Sequence, residues 1–255
     1  MATQTGTTIE PLNVVRVPLF EAAIAGENLE YFGGRTLPRL EWTHVYLGNW
    51  GADDRRSLDT AVPAALQDRN LNHVLAQYFP KKRITSVFRG AQNGPMPAAL
   101  MDKTAVEGVV QSLALDGVAA LLLPRGVVLS DGDVTSEHGL GGYHGSVDGH
   151  YYSVSVYSEG TNGIVAFDAP WKNVCATVYH ELQEARTDPD VEDAIRTGKS
   201  KYLGWYSPRG GEIGDIPIST SPLHEVMREV PLADGSGTVP VQLMWSNKDE
   251  APAAS

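Results

Sequence analysis

Apolar positions at three- and four-residue steps predict helices along this chain, and alternating ones predict strands. After Asp53-Asp54, whose acids suit the start of a helix dipole, Leu58, Val62, Ala65 and Leu66 line one side of a first helix. A shorter one is expected over Leu71 to Tyr78, ended by Pro80, and a third over Thr104 to Leu115 with Val106, Val109, Val110 and Leu113 inward. Strands are expected at Glu41 to Leu47, closed by the turn Gly48 to Gly51, then at Arg83 to Phe88, Ala119 to Leu123 and Val127 to Ser130. Tyr151 to Tyr157 and Ile164 to Phe167 read as a strand pair, and Val239 to Asn247 as a closing strand. Alternation of strands and helices predicts a single layered α/β domain with a mixed sheet over residues 41–250. Residues 1–40 read as an irregular lead-in and residues 251–255 as a frayed tail, and no internal repeat is evident.

The stretch Val174 to Asp190 changes the picture from fold to chemistry. Val174, Val178, Leu182 and Ala185 share a helical face, and Pro189 ends the helix near Thr187. His180 and Glu184 are four apart, so imidazole and carboxylate project side by side and could share a metal ion. Glu181 lies one step round, where a carboxylate reaches a water without ligating. This is the spacing of the His-Glu-x-x-His zinc helix with Glu184 in place of the second histidine, and its bland counterpart is a polar helix face screened by Arg186. A central metal-binding helix of this type makes the expected fold metallopeptidase-like.

Candidate partners for that helix lie elsewhere. Ser136 to Ser146 packs glycines with His138 and His144 and reads as a loop between strands, where the backbone bends sharply or approaches something closely. Asp188, before Pro189, reads as an N-cap of a following helix or as a ligand. Gly204 to Asp215 reads as a hairpin around Trp205 and Tyr206 that ends in Glu212 and Asp215. His44 is expected to pack on its strand, and Cys175 to be a buried, inert thiol.

Composition narrows the partners. With 255 residues, 42% hydrophobic and 20% charged, the chain is long enough for one sizeable core and has no transmembrane run. Its formal charge of −11 repels phosphate backbones and anionic membranes, so no nucleic-acid and no membrane partner is expected. The lone Cys175 excludes an intrachain disulfide, and the start lacks the basic and apolar regions of a secretory signal. Cytoplasmic placement is the expectation for the sequence as written, and secretion if a signal has been removed.

Several stretches together resemble one family. Val45 to Trp50, Gly142-Tyr143-His144-Gly145, His180 to Ala185 with Thr187-Asp188-Pro189, Trp205-Tyr206, Glu212-Ile213-Gly214-Asp215, Val241-Gln242 and Trp245-Ser246-Asn247 occur in the order of the phosphate-induced protein 1 family, which includes the plant EXORDIUM proteins. The chain resembles a bacterial-type member. The resemblance supplies no settled reaction, but it implies that His144, His180, Glu184, Glu212 and Asp215 form one constellation.

Three functions follow as expectations. A zinc-dependent, peptidase-like hydrolase acting on a peptide or small molecule would use His180, Glu184, Asp215 and His144 as ligands and Glu181 as general base, with Glu212, Asp188 and Tyr143 as further candidates. Iron on two histidines and one carboxylate would instead suit an oxygenase. A non-catalytic scaffold could use Tyr143, Tyr151, Tyr152, Trp205 and Tyr206 to line a groove for a sugar or peptide.

Overall fold

The computed structural model describes residues 28–255. Its elements run β1 (Glu30–Tyr31), β2 (Arg39–Tyr46), α1 (Ala52–Gln67), α2 (Arg69–Ala76), β3 (Thr85–Asn93), β4 (Leu100–Met101), α3 (Lys103–Leu113), β5 (Val118–Leu122), β6 (Val128–Asp131), β7 (Val134–Thr135), β8 (Gly142–Val147) and β9 (His150–Ser155). There follow α4 (Pro170–Thr187), α5 (Val191–Thr197), β10 (Trp205–Tyr206), α6 (Asp215–Thr220), α7 (Leu223–Val226), β11 (Met227–Pro231), β12 (Thr238–Gln242), β13 (Met244–Ser246) and β14 (Ala251–Ala253). The class is mixed α/β, and the main sheet has the order β3-β2-β5-β9-β8, parallel throughout except for antiparallel β8 at one edge.

Strand parity divides the core. In β2, Leu40, Trp42 and Tyr46 join one apolar cluster with α1, α2 and α4, while Val45 joins a second beneath α3; in β5, Val118, Ala120 and Leu122 face the first and Ala119 and Leu121 the second. This is the two-residue period of a sheet buried on both faces. The same parity acts at the edge. Tyr143 and Val147 of β8 belong to the α3 side, so His144 and Ser146 face α4. His44, on the α1 side of β2, is fully buried and bonds through Nδ1 to Asp59 at 2.7 Å, so it packs as expected.

Helix α4 begins with Pro170 at its first turn, where a missing N–H costs nothing, and is buried from Asn173 through Thr187. It therefore has no exposed polar face; the polar side chains meet other buried groups instead. Cys175 is fully buried, and burial pushes its thiol far above the usual range, as expected of an inert thiol.

Several expectations are corrected. The glycine-rich stretch before Ser146 is not all loop, because Gly142 to Val147 pairs along β9 in strand register. Ile164 to Phe167 is not a strand; the backbone N–H groups of Ala166 and Phe167 both donate to Asn173 Oδ1, which holds this segment against the start of α4. Trp205-Tyr206 pairs with β1 rather than closing a hairpin on itself. The tail is not frayed, since β14 pairs with β13 from Ser246↔Ala251 to Met244↔Ala253. Of the expected lead-in, residues 1–27 lie outside the described residues, and the remainder is partly strand, with Leu29 bonded across the fold to Asn247.

Candidate metal centre

Four segments converge on α4: the edge strand β8, the turn before α6, the end of β12, and the chain leaving α4 itself. They enclose a cavity of about 160 Å³ whose lining includes His144, His180, Glu181, Glu184, Glu212, Asp215 and Gln242. His180 Nε2 lies 3.0 Å from Glu184 Oε2, 3.8 Å from Asp215 Oδ1 and 3.9 Å from Glu181 Oε1. His144 Nδ1 lies 3.5 Å from Glu184 Oε2 and 3.6 Å from Glu181 Oε2. All five expected site residues therefore meet.

They meet as two groups rather than one shell. His180, Glu184 and Asp215 offer ligand atoms all within 4.8 Å of one another, and so do His144, Glu181 and Glu184, but no such group contains both histidines. Atoms bound to one ion at about 2.1 Å lie at most about 4.2 Å apart, so a single ion held by His144 and His180 together does not fit this arrangement. That corrects the four-ligand shell expected from the sequence, and the iron triad of two histidines and one carboxylate with it.

Hydrogen bonds orient both rings. His180 Nδ1 is 2.9 Å from Gln242 Oε1, and Gln242 Nε2 donates to the Gly214 carbonyl at 2.6 Å, which fixes the amide with its oxygen toward the ring. Nδ1 is thus an N–H, and Nε2 is the nitrogen that faces Glu184 and Asp215, where a proton sits in the metal-free protein. His144 Nε2 donates to the Asp188 carbonyl at 3.0 Å, leaving Nδ1 to face Glu181 and Glu184. A histidine whose outer nitrogen is bound to a fixed carbonyl is the arrangement that orients metal ligands.

Close backbone approach completes the cradle. A Cβ at Gly214 would fall 2.5 Å from His180 Nδ1, and Gly214 N–H donates to Glu184 Oε1 at 3.1 Å. Glu212 N–H donates to Asp215 Oδ2 at 3.2 Å, so the Glu-Ile-Gly-Asp turn holds both a ligand candidate and its orienting group.

Charge is crowded here. Burial drives His180 down, but Glu184, Glu181 and Asp215 outweigh it and raise its pKa to about 10. His144 is likewise raised well above its usual value, with burial opposed by Glu212, Glu181 and Glu184. Burial raises Glu184, yet the two histidines overcome this and bring it to about 2. Burial, with neighbouring carboxylates, lifts Asp215 to about 7; its side chain keeps 47% exposure, so solvent in the cavity relieves part of that shift. Glu212 is raised well above its usual value by burial, and its Oε1 is buried without a hydrogen-bond partner, 3.5 Å from His144 Nε2.

The remaining candidates take other places. Asp188 is the C-cap of α4, not an N-cap, and its Oδ1 accepts from Gly204 N–H at 2.8 Å. Tyr143 borders the cavity but turns its ring into the α3-side cluster, 6.2 Å from that of Tyr152. Trp205 bonds to the Tyr78 carbonyl and Tyr151 lies beneath Arg35, so the five aromatics do not line one groove. Sequence reasoning assigned no role to Gln242 or to the Asp188 carbonyl. The signal for Gln242 was a lone amide following the apolar positions Val239 and Val241.

No family model, curated protein or solved structure matches the chain. Among the described residues no helix is long and apolar enough to cross a membrane.

Proposed function

We propose that the protein is a metal-dependent hydrolase of peptidase type, with an ion held by His180 Nε2, Glu184 and Asp215. The observation that carries this reading is the directed pair of groups on α4. His180 Nε2, oriented by Gln242, points at two carboxylates where an ion can replace its proton, and Glu181 Oε1 stands 3.9 Å from it, placed to take a proton rather than to hold the ion. Three atoms around an ion at about 2.1 Å are expected about 3.4 Å apart in tetrahedral geometry. The 3.0 and 3.8 Å separations bracket that value. Nitrogen and oxygen donors without thiolate suit zinc, with iron the alternative. A divalent ion there supplies Lewis acidity and acidifies a bound water.

The residues of the chain do the rest. Glu181 takes the proton of the attacking water and passes it to the departing amine. Edge strand β8 favours a peptide as substrate. The bond from Val156 N–H to the Gly141 carbonyl sets the ladder so that Gly142, His144 and Ser146 turn their peptide groups away from β9. Of these, His144 and Ser146 are buried and Gly142 borders the cavity, so a peptide substrate would meet the strand at Gly142. Membership of the EXORDIUM-type family is part of the same proposal and rests on the sequence stretches alone.

The test is Glu181→Gln in the full chain loaded with zinc, against a library of internally quenched peptides. Cleavage is expected to fall at least about 100-fold with the ion at His180 retained, since general-base catalysis contributes roughly that much. Undiminished cleavage, or a purified protein that takes up no divalent metal, overturns the reading.

A further inference from the structure

We infer that the centre is built for two divalent ions bridged by Glu184, the second held by His144 Nδ1 and Glu181. The inference rests on the hydrolase reading for its first ion and goes beyond it in the second.

Both groups have the same construction. Each has one histidine, its outer nitrogen spent on a fixed carbonyl oxygen and its inner nitrogen aimed at Glu184 Oε2, at 3.0 Å for His180 and 3.5 Å for His144. In each, a second carboxylate closes the triangle: Asp215 at 3.8 Å in the first, Glu181 at 3.6 Å in the second. Both sets of separations lie near the tetrahedral edge of about 3.4 Å. Two ions sharing one carboxylate sit about 3.5–4 Å apart in hydrolytic pairs, which lets both meet the same Glu184 oxygen.

Charge points the same way. Glu181, Glu184, Glu212 and Asp188 are buried together, and Glu181, Glu184, Glu212 and Asp215 face the rings of His144 and His180. One ion in the first group still leaves His144 Nδ1 facing two carboxylate oxygens, a place held by a proton without metal and open to a second ion. A nitrogen and two carboxylate oxygens this close together need a cation or a proton between them. Glu212 Oε1, buried without a hydrogen-bond partner, lies against the outer nitrogen of His144 and adds negative charge beside the ring without joining the group. Glu181 can serve both functions, because Oε2 faces His144 while Oε1 faces His180 and stays available to a proton.

Metal content separates the outcomes. The full chain is stripped with chelator, reloaded with excess Zn2+ or Mn2+, desalted and measured by mass spectrometry, with electron paramagnetic resonance on the Mn2+ form. Two ions per wild-type chain are expected, with the spin coupling of a close pair, and His144→Ala should fall to one ion with an uncoupled signal. One ion in the wild type, unchanged by His144→Ala, overturns the second ion and leaves the hydrolase reading standing. No ion overturns both. Two ions without spin coupling also overturn the bridged pair, and the wild-type measurements decide even if His144→Ala does not fold.

Discussion

Asp188→Asn should make the metal-free protein more stable, by an amount that grows with pH. Asp188 is fully buried at the C-terminal end of α4, where the helix dipole disfavours negative charge. Oδ1 accepts from Gly204 N–H, and Oδ2 is buried without a partner. Burial outweighs the help of Gly204 and His144 and lifts the carboxyl from 3.8 to about 7. Because the folded value lies above the unfolded one, the folded state holds the proton more tightly. Stability is greatest below the unfolded value, falls as pH rises toward 7 and is flat above it. At about 1.4 kcal/mol per unit, the loss between about pH 5 and about pH 8 comes to roughly 3 kcal/mol. Asparagine keeps the acceptor for Gly204 and the backbone carbonyl that orients His144, but does not ionise. Urea unfolding of chelator-treated wild type and variant across that range should show a gap opening in favour of the variant by roughly 3 kcal/mol. Parallel pH curves would refute the assignment of a strained charge to Asp188.

Three further substitutions probe the surroundings. Gly214→Ala, at an unstrained φ of −92°, should act by its Cβ pressing on His180 and Glu184 and weaken metal binding at least about 10-fold in a chelator competition while the fold persists. Gln242→Leu frees the His180 ring and strips the Gly214 carbonyl of its donor, so affinity should fall about 10–100-fold and stability by about 1–3 kcal/mol, read by the same competition and by denaturant melts. Asp59→Ala removes the acceptor for His44 and Tyr46 far from the centre, and should cost about 1–3 kcal/mol with metal content unchanged.

The helices were legible because their information is local. Leu58, Val62 and Leu66, or Val106 and Val110, repeat within a few residues, and so does the four-residue step that sets His180 beside Glu184. Glycine density hid β8, since it signals bending on its own and says nothing of a neighbour strand that can pair with it. That His144 faces α4 while Tyr143 does not depends on ladder parity with β9, which the sequence does not display. The orienting bonds were hidden for the same reason. Gln242 stands 62 residues from His180, and the carbonyl at Asp188 belongs to the backbone, which carries no residue signature. The separation into two groups follows from those ring orientations and could not be read from spacing.

Gln242 also ties the centre to the order of synthesis. The helix carrying His180 and both glutamates leaves the ribosome long before β12, and Leu29 finds its hydrogen-bond partner only 218 residues later at Asn247. A growing chain therefore holds the acids and imidazoles of the centre without the amide that sets the His180 tautomer or the strand that closes the fold. Domains fold largely as units once their contacts are all available. The centre is thus assembled only once β12 and the Asn247 segment have been made, and a chain stopped before them carries the helix of the site without its geometry.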